Sequence, residues 1–202
     1  QTLFGPRFAL LRPEFRTTPK PTRNGALRRI VVAFGGSDPH NATGACAEAL
    51  HQALPEIELD LVVGAASPHG PALQARWAGV PRVSVAIGVS NVALRFAQAD
   101  LFVGAGGSMT WERACLGLPG ITLPIAPNQQ ALCARLAAAG EGIDLGLYAP
   151  AATGPLVPAV QALRDDPQRL AAMASALFKR CDGQGAERVA DAVMLLLGRR
   201  LG

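Results

Sequence analysis

Aromatic residues are scarce in this chain: Phe, Trp and Tyr make up 5% of 202 residues, with a single Tyr. That leaves no interleaved set of rings on which bases stack, and no known nucleic-acid motif is present, so a nucleic-acid partner is not expected. Long apolar runs are absent too. The closing Met194-Leu195-Leu196-Leu197 falls far short of the roughly 20 residues that span a bilayer. With no visible signal peptide, the expectation is a cytoplasmic protein without a membrane span. Gly-Lys-Ser/Thr occurs nowhere, and no turn follows G-x-G-x-x-G, which excludes the Walker and dinucleotide fingerprints. The cysteines (Cys46, Cys115, Cys133 and Cys181) include no C-x-x-C pair, so buried free thiols are expected rather than a zinc or dithiol site. Asp38, Asp100 and Glu112 lack ligand-like spacing, so neither a metal nor another cofactor is called for.

Charge is unevenly placed. The formal net charge is +4, yet residues 1–29 alone sum to +6 (Arg7, Arg12, Arg16, Lys20, Arg23, Arg28 and Arg29 against Glu14) and the rest to −2. A basic arm suits anionic partners in principle. The dominance of Arg in an Ala- and Gly-rich chain reads instead as a bias of composition. Residues 1–21 also carry Leu3, Phe4, Phe8, Leu10, Leu11 and Phe15, and end in the linker-like Thr17-Thr18-Pro19-Lys20-Pro21-Thr22. An apolar segment ahead of the first strand, in a chain without an initiating Met, suggests the C-terminal part of a longer protein. Residues 1–25 are assigned as an interdomain arm from a missing N-terminal domain and 26–202 as one domain.

The domain has 50% apolar residues and the length to bury a core. Apolar strand patterns at 29–34, 57–63, 82–87, 101–103 and 121–123 alternate with helix patterns at 43–54, 71–78, 91–98, 108–116 and 129–139. A weak strand follows at 142–145. Beyond about residue 154 the chain reads as helical, broken at Asp165-Asp166-Pro167 and at Asp182-Gly183-Gln184-Gly185. Strand and helix in alternation predict an α/β fold with a doubly wound parallel, Rossmann-like sheet.

Two glycine turns follow strands in this pattern. Gly35-Gly36-Ser37-Asp38 leaves the first, and Gly104-Ala105-Gly106-Gly107-Ser108 leaves the fourth. Such turns let the backbone approach a phosphate, with free amides and a helix start aimed at it. Both belong to the carboxyl edge of the sheet, where open α/β folds bind ligands. Glu112 lies one helical turn after Ser108, on the same face. A carboxylate there repels a diphosphate but accepts hydrogen bonds from both ribose hydroxyls. A nucleotide or nucleotide sugar is therefore expected; the alternative is a pair of ordinary strand-to-helix turns.

The segments Leu3-Phe4-Gly5-Pro6-Arg7-Phe8-Ala9-Leu10-Leu11-Arg12-Pro13-Glu14-Phe15 and Phe34-Gly35-Gly36-Ser37-Asp38-Pro39-His40-Asn41 carry a resemblance. So do Gly104-Ala105-Gly106-Gly107-Ser108-Met109-Thr110-Trp111-Glu112-Arg113, Leu116-Gly117-Leu118-Pro119 and Asn128-Gln129. The chain from residue 3 to about 140 resembles the C-terminal half of two-domain GT-B proteins, most closely the UDP-sugar hydrolases of pseudaminic acid biosynthesis, which act on a diacetamido-trideoxy hexose. It is similar, less closely, to the UDP-N-acetylglucosamine transferases that make lipid II.

That resemblance implies UDP or a UDP-sugar as ligand, with Gly35, Gly36, Ser37, Gly106, Gly107 and Ser108 on the diphosphate. Asp38 is included in the nucleotide set as part of the first turn. Glu112 would hold the ribose, the backbone around Ile87 to Val89 the uracil, and Asn128 and Gln129 the sugar. The catalytic His of those hydrolases belongs to their N-terminal domain, and nothing here corresponds to it. Among His40, His51 and His69, only His40, in the first turn, is placed for chemistry; His51 is expected on a helix surface. The expectation is a UDP-sugar hydrolase at full length and a nucleotide-binding fragment here. The alternatives are a UDP-sugar-dependent glycosyltransferase, or a binding module without catalysis.

Overall fold

A computed structural model describes residues 2–198. Six strands, β1 (Arg29–Ala33), β2 (Glu58–Val63), β3 (Val83–Ile87), β4 (Leu101–Gly104), β5 (Gly120–Thr122) and β6 (Ile143–Asp144), form one sheet in the order β3-β2-β1-β4-β5-β6. All pairings are parallel, with Ile30 beside both Leu59 and Leu101. The doubly wound expectation is met. Parallel strands need long crossovers, and the chain supplies helices for them: α2 (Ala42–Ala53), α3 (Gly70–Trp77), α4 (Val92–Gln98), α5 (Met109–Cys115) and α6 (Pro127–Ala138). After β6 come α7 (Leu156–Arg164), α8 (Pro167–Phe178) and α9 (Gly185–Gly198), separated at the two expected breaks.

Helices on both faces explain why β1 is apolar throughout rather than alternating. Ile30 and Val32 face one cluster, with Leu50 of α2, Trp77 of α3 and Val160 of α7. Val31 and Ala33 face the other, with Phe96 of α4, Ala114 of α5, Leu177 of α8 and Phe15. All four cysteines are free and buried. His51 is half-buried rather than on the surface, with Trp77 edge-on at 5.2 Å. Element ends differ from expectation by one or two residues, within the usual spread of helix boundaries.

Residues 2–25 form no strand. They hold a 3-10 turn at Pro6–Phe8 and a short helix α1 (Pro13–Thr17), and they pack onto the domain. Phe15 is fully buried and tilted against Phe96 at 6.2 Å. The linker-like stretch is fixed by its cations: Lys20 Nζ donates to Cys115 O at 2.6 Å and Phe15 O at 3.2 Å. Arg23 donates to Phe96 O at 2.9 Å and to Ala99 O, at the carboxyl end of α4, where a helix presents unpaired carbonyls. Arg16 pairs with Glu187, and Arg188 reaches Arg7 O at 3.1 Å, tying the first residues to α9. Charge that composition alone leaves unassigned is thus engaged in anchoring the arm.

Candidate functional site

The carboxyl ends of β1 to β4 enclose a cavity of about 370 Å³. Its lining includes Gly35 and Gly36 after β1, Gly64 and Ala65 after β2, Gly88 and Val89 after β3, and Ser108, Met109 and Glu112 of the turn and helix after β4. Two separate sequence motifs therefore meet, as the parallel topology requires.

Local chemistry explains the shape. Gly35 has φ 91°, a region open to glycine, and a side chain built on Gly35 or Gly36 would meet nothing within 4 Å. Their backbone consequently borders free space. Gly64 is needed for a different reason: a β-carbon there would lie 2.1 Å from Gly36 O, so the first turn can rest on β2 only over a glycine. Gly106 lets α6 approach, since a β-carbon on it would lie 2.0 Å from Cys133 Sγ. At Gly107 the nearest such neighbour is Gln129 Nε2, at 3.6 Å. Among the described residues, the amides of Gly106, Gly107, Ser108 and Met109 donate to no protein acceptor, which leaves a run of donors at the turn.

Glu112 stands inside this cavity with its side chain 14% exposed. Burial pushes its carboxyl above the ordinary carboxylate range; Arg12 draws it back and Glu14 pushes it further up. Arg12 Nη2 lies 3.6 Å from Glu112 Oε1, a long ion pair that leaves the carboxylate oxygens free to accept other donors.

The other sequence-selected residues divide. Ser37 is exposed on the first turn but outside the cavity lining. Asp38 is 1% exposed and turned inward: its carboxylate accepts from Ala42 N at 2.8 Å and Thr43 N at 3.0 Å. It satisfies the start of α2, so that helix offers its first amides to Asp38 rather than to a ligand. Ile87 packs toward Gly70, and its successors Gly88 and Val89 reach the cavity instead. Asn128 and Gln129 are not in a loop; they occupy the first turn of α6, because Pro127 suits the first helical position. Asn128 is exposed, while Gln129 Oε1 accepts from Ile125 N at 3.0 Å, leaving Nε2 toward the Gly107 turn. His40 is exposed, stacked on Tyr148 with ring centres 6.4 Å apart, and absent from the cavity lining.

Sequence reasoning missed Arg12, Gly64 and Val92, all of which line the cavity. For Gly64 a signal existed: it ends the apolar run 61–63 as Gly35 ends 30–34, which marks a third strand-end glycine. Arg12 offered none, since only folding brings the arm over α5.

No protein-family model matches the chain. It is 33% identical over 158 residues to spore coat polysaccharide biosynthesis protein SpsG of Bacillus subtilis (strain 168), covering 76% of this chain and 44% of that protein. It is 38% identical over 117 residues to the UDP-N-acetylglucosamine–N-acetylmuramyl-(pentapeptide) pyrophosphoryl-undecaprenol N-acetylglucosamine transferase of Acidiphilium cryptum (strain JF-5), covering 55% of this chain and 31% of that one. Among solved structures, the spinosyn rhamnosyltransferase SpnG complexed with thymidine diphosphate superposes with TM-score 0.61 at 23% identity, over 87% of this chain and 49% of that one. A UDP-GlcNAc 2-epimerase from Neisseria meningitidis bound to UDP-GlcNAc does so with TM-score 0.63 at 14% identity, over 83% and 45%.

The fold is that of the C-terminal half of GT-B glycosyltransferases. The chain spans less than half the length of the curated relatives it matches. One expectation is overturned. The relatives and structural neighbours with a named activity are glycosyltransferases and epimerases, so a UDP-sugar hydrolase is not supported, nor is its tie to pseudaminic acid. Among the described residues, no helix is long and apolar enough to cross a membrane.

Proposed function

We propose that this chain is the donor-binding part of a nucleotide-sugar-dependent glycosyltransferase of surface polysaccharide biosynthesis. The observation that carries this reading is the convergence of open glycine backbone at Gly35 and Gly36, the unpaired amides of Ser108 and Met109, and the Glu112 carboxylate in one cavity, with Gly106 and Gly107 in the same turn but outside its lining. Amide donors suit a diphosphate, and their fixed orientation stabilises charge developing on a departing nucleoside diphosphate. A carboxylate with free oxygens suits a ribose diol. Gly88 and Val89 present backbone groups to a base, and Gln129 Nε2, beside the turn, points toward where a sugar or phosphate oxygen would lie. The spore-coat relative and the lipid-linked transferase support a sugar donor used for a surface polymer. In this reading residues 1–25 belong to the arm between two domains, and the acceptor site and catalytic base belong to the part of the relatives that this chain does not span.

Calorimetric titration with UDP, thymidine diphosphate and ADP tests the site, repeated on Glu112→Ala. UDP is expected to bind over ADP and over thymidine diphosphate, which lacks the 2′-hydroxyl, and to be weakened in the variant by about 1.5–3 kcal/mol for lost charged hydrogen bonds. Failure of all three nucleotides to bind, here and in the full-length protein, overturns the assignment. Transfer of sugar from UDP-N-acetylglucosamine or a UDP-diacetamido-trideoxy hexose to an alcohol acceptor, by full-length protein, tests the reaction.

A further inference from the structure

The arm contributes more than anchoring. Arg12 crosses from the arm to the cavity wall, where its guanidinium is held on several sides: Nη1 donates to Ser90 O at 3.3 Å, Nη2 pairs with Glu14 at 3.2 Å, and the group lies 5.3 Å from the Phe15 ring centre. Phe15 is fully buried, so the stem of this arrangement is seated in the core. Glu14 in turn accepts from Ala93 N at 3.4 Å, near the start of α4. Arg12 is therefore braced between the β3–α4 loop and α1, and its remaining reach is toward Glu112.

We propose that Arg12 is the positioning residue of the nucleotide site, aiming the Glu112 carboxylate at the 2′,3′-diol of a ribonucleoside diphosphate. This deepens, and rests on, the reading of the cavity as a nucleotide site. The charged groups facing Glu112 are Arg12 and Glu14, both from the arm. On its own helix, Arg113 is fully buried and directed to Leu118 O, and on α4, Arg95 is paired with the buried Asp60 at 2.6 Å. Arg12 is thus the cation that opposes both burial and Glu14 at this carboxylate. A carboxylate that must accept two hydroxyl donors has to be ionised and turned outward; at 3.6 Å, Arg12 favours both without occupying the oxygens. Discrimination between a ribose and a deoxyribose then depends on a residue of the arm, because a hydroxyl matched to a fixed acceptor is selected more strongly than one meeting a mobile group.

The test is titration of UDP and 2′-deoxy-UDP against the chain, Arg12→Ala and Arg12→Lys, from about pH 8 down to about pH 5, across the approach to the ordinary Glu range. The unaltered chain is expected to prefer UDP. Arg12→Ala is expected to lower that preference about tenfold, the scale of one charge-assisted hydrogen bond, and to make UDP affinity fall toward the acid end. Arg12→Lys restores part of both. In an Arg12→Ala, Glu112→Gln double variant the preference falls no further than in Glu112→Gln alone. Equal weakening of UDP and 2′-deoxy-UDP at every pH would mean that Arg12 only adds positive charge or stability, and overturns the inference while leaving the site. If the unaltered chain and the full-length protein bind neither ligand, the site reading falls and takes this inference with it.

Discussion

Gly106→Ala isolates one atom-scale feature of the site. Gly106 is buried, and its φ is not positive, so alanine is acceptable to the backbone and even lowers the entropy of the unfolded chain. The obstacle is one sulfur: the new carbon would sit 2.0 Å from Cys133 Sγ, with the next neighbours, Gln129 O and Cβ, at 3.6 and 3.7 Å. Cys133 is 1% exposed in α6, so the sulfur, the turn or the helix must shift within a buried setting. Overpacking of this kind destabilises by about 1–3 kcal/mol. Cys133→Ala alone removes one buried atom and costs about 1 kcal/mol. If the clash is the cause, the double variant loses about as little as Cys133→Ala, well short of the additive sum, because the carbon then occupies the vacated volume. Urea unfolding of the four proteins measures this as midpoint shifts at constant slope. Nucleotide affinity should follow the same order, lost in Gly106→Ala and largely regained in the double variant, as the amides at 106–109 return to place. A double variant as unstable as the sum of the singles would refute the packing of α6 on this turn.

Two further outcomes follow from buried ionisable groups. Burial raises the Glu112 carboxyl above 4.5, so its contribution to stability is complete at lower pH and is lost as pH rises through the raised value. Glu112→Gln should therefore raise the melting temperature at neutral pH while weakening nucleotide binding, and the gain should vanish in acid; equal or lower stability at neutral pH would contradict it. The Cys115 thiol is drawn below the ordinary thiol range by the Cys181 thiol and by Lys20, against burial. Its thiolate ultraviolet absorbance should appear below the ordinary thiol range and move upward in Lys20→Met, which removes the ammonium 2.9 Å from Cys115 Sγ; an unchanged midpoint would remove Lys20 as a cause.

The fold class was legible because its signal is local and repeated. Apolar runs such as 29–34 and 101–103, each followed by glycine and then a helix pattern, state a parallel sheet several times over. The two glycine turns and Glu112 were legible for the same reason: a strand end and one helical turn fix which side of the sheet they occupy. The start of α6 was legible to within two residues of its expected position at 129, the difference being Pro127, which suits the first helical position. The hydrolase expectation failed because it rested on a resemblance that the relatives and neighbours with a named activity do not share.

What sequence determined by itself was the order of elements and the edge of the sheet at which the glycine turns and Glu112 gather, since period and punctuation are properties of neighbours along the chain. What tertiary structure alone decided was how each residue is used once distant segments meet. Glu112 and Arg113 are adjacent, yet helical phase sends one into the cavity and the other wholly into the core. Asp38 sits in the first glycine turn, yet the start of α2 claims its carboxylate. Arg12 is one hundred positions from Glu112, and only the packing of residues 2–25 onto the domain, with Phe15 buried, brings it within 3.6 Å. Contacts at such separations depend on packing free energy summed over the whole core, which no local pattern encodes.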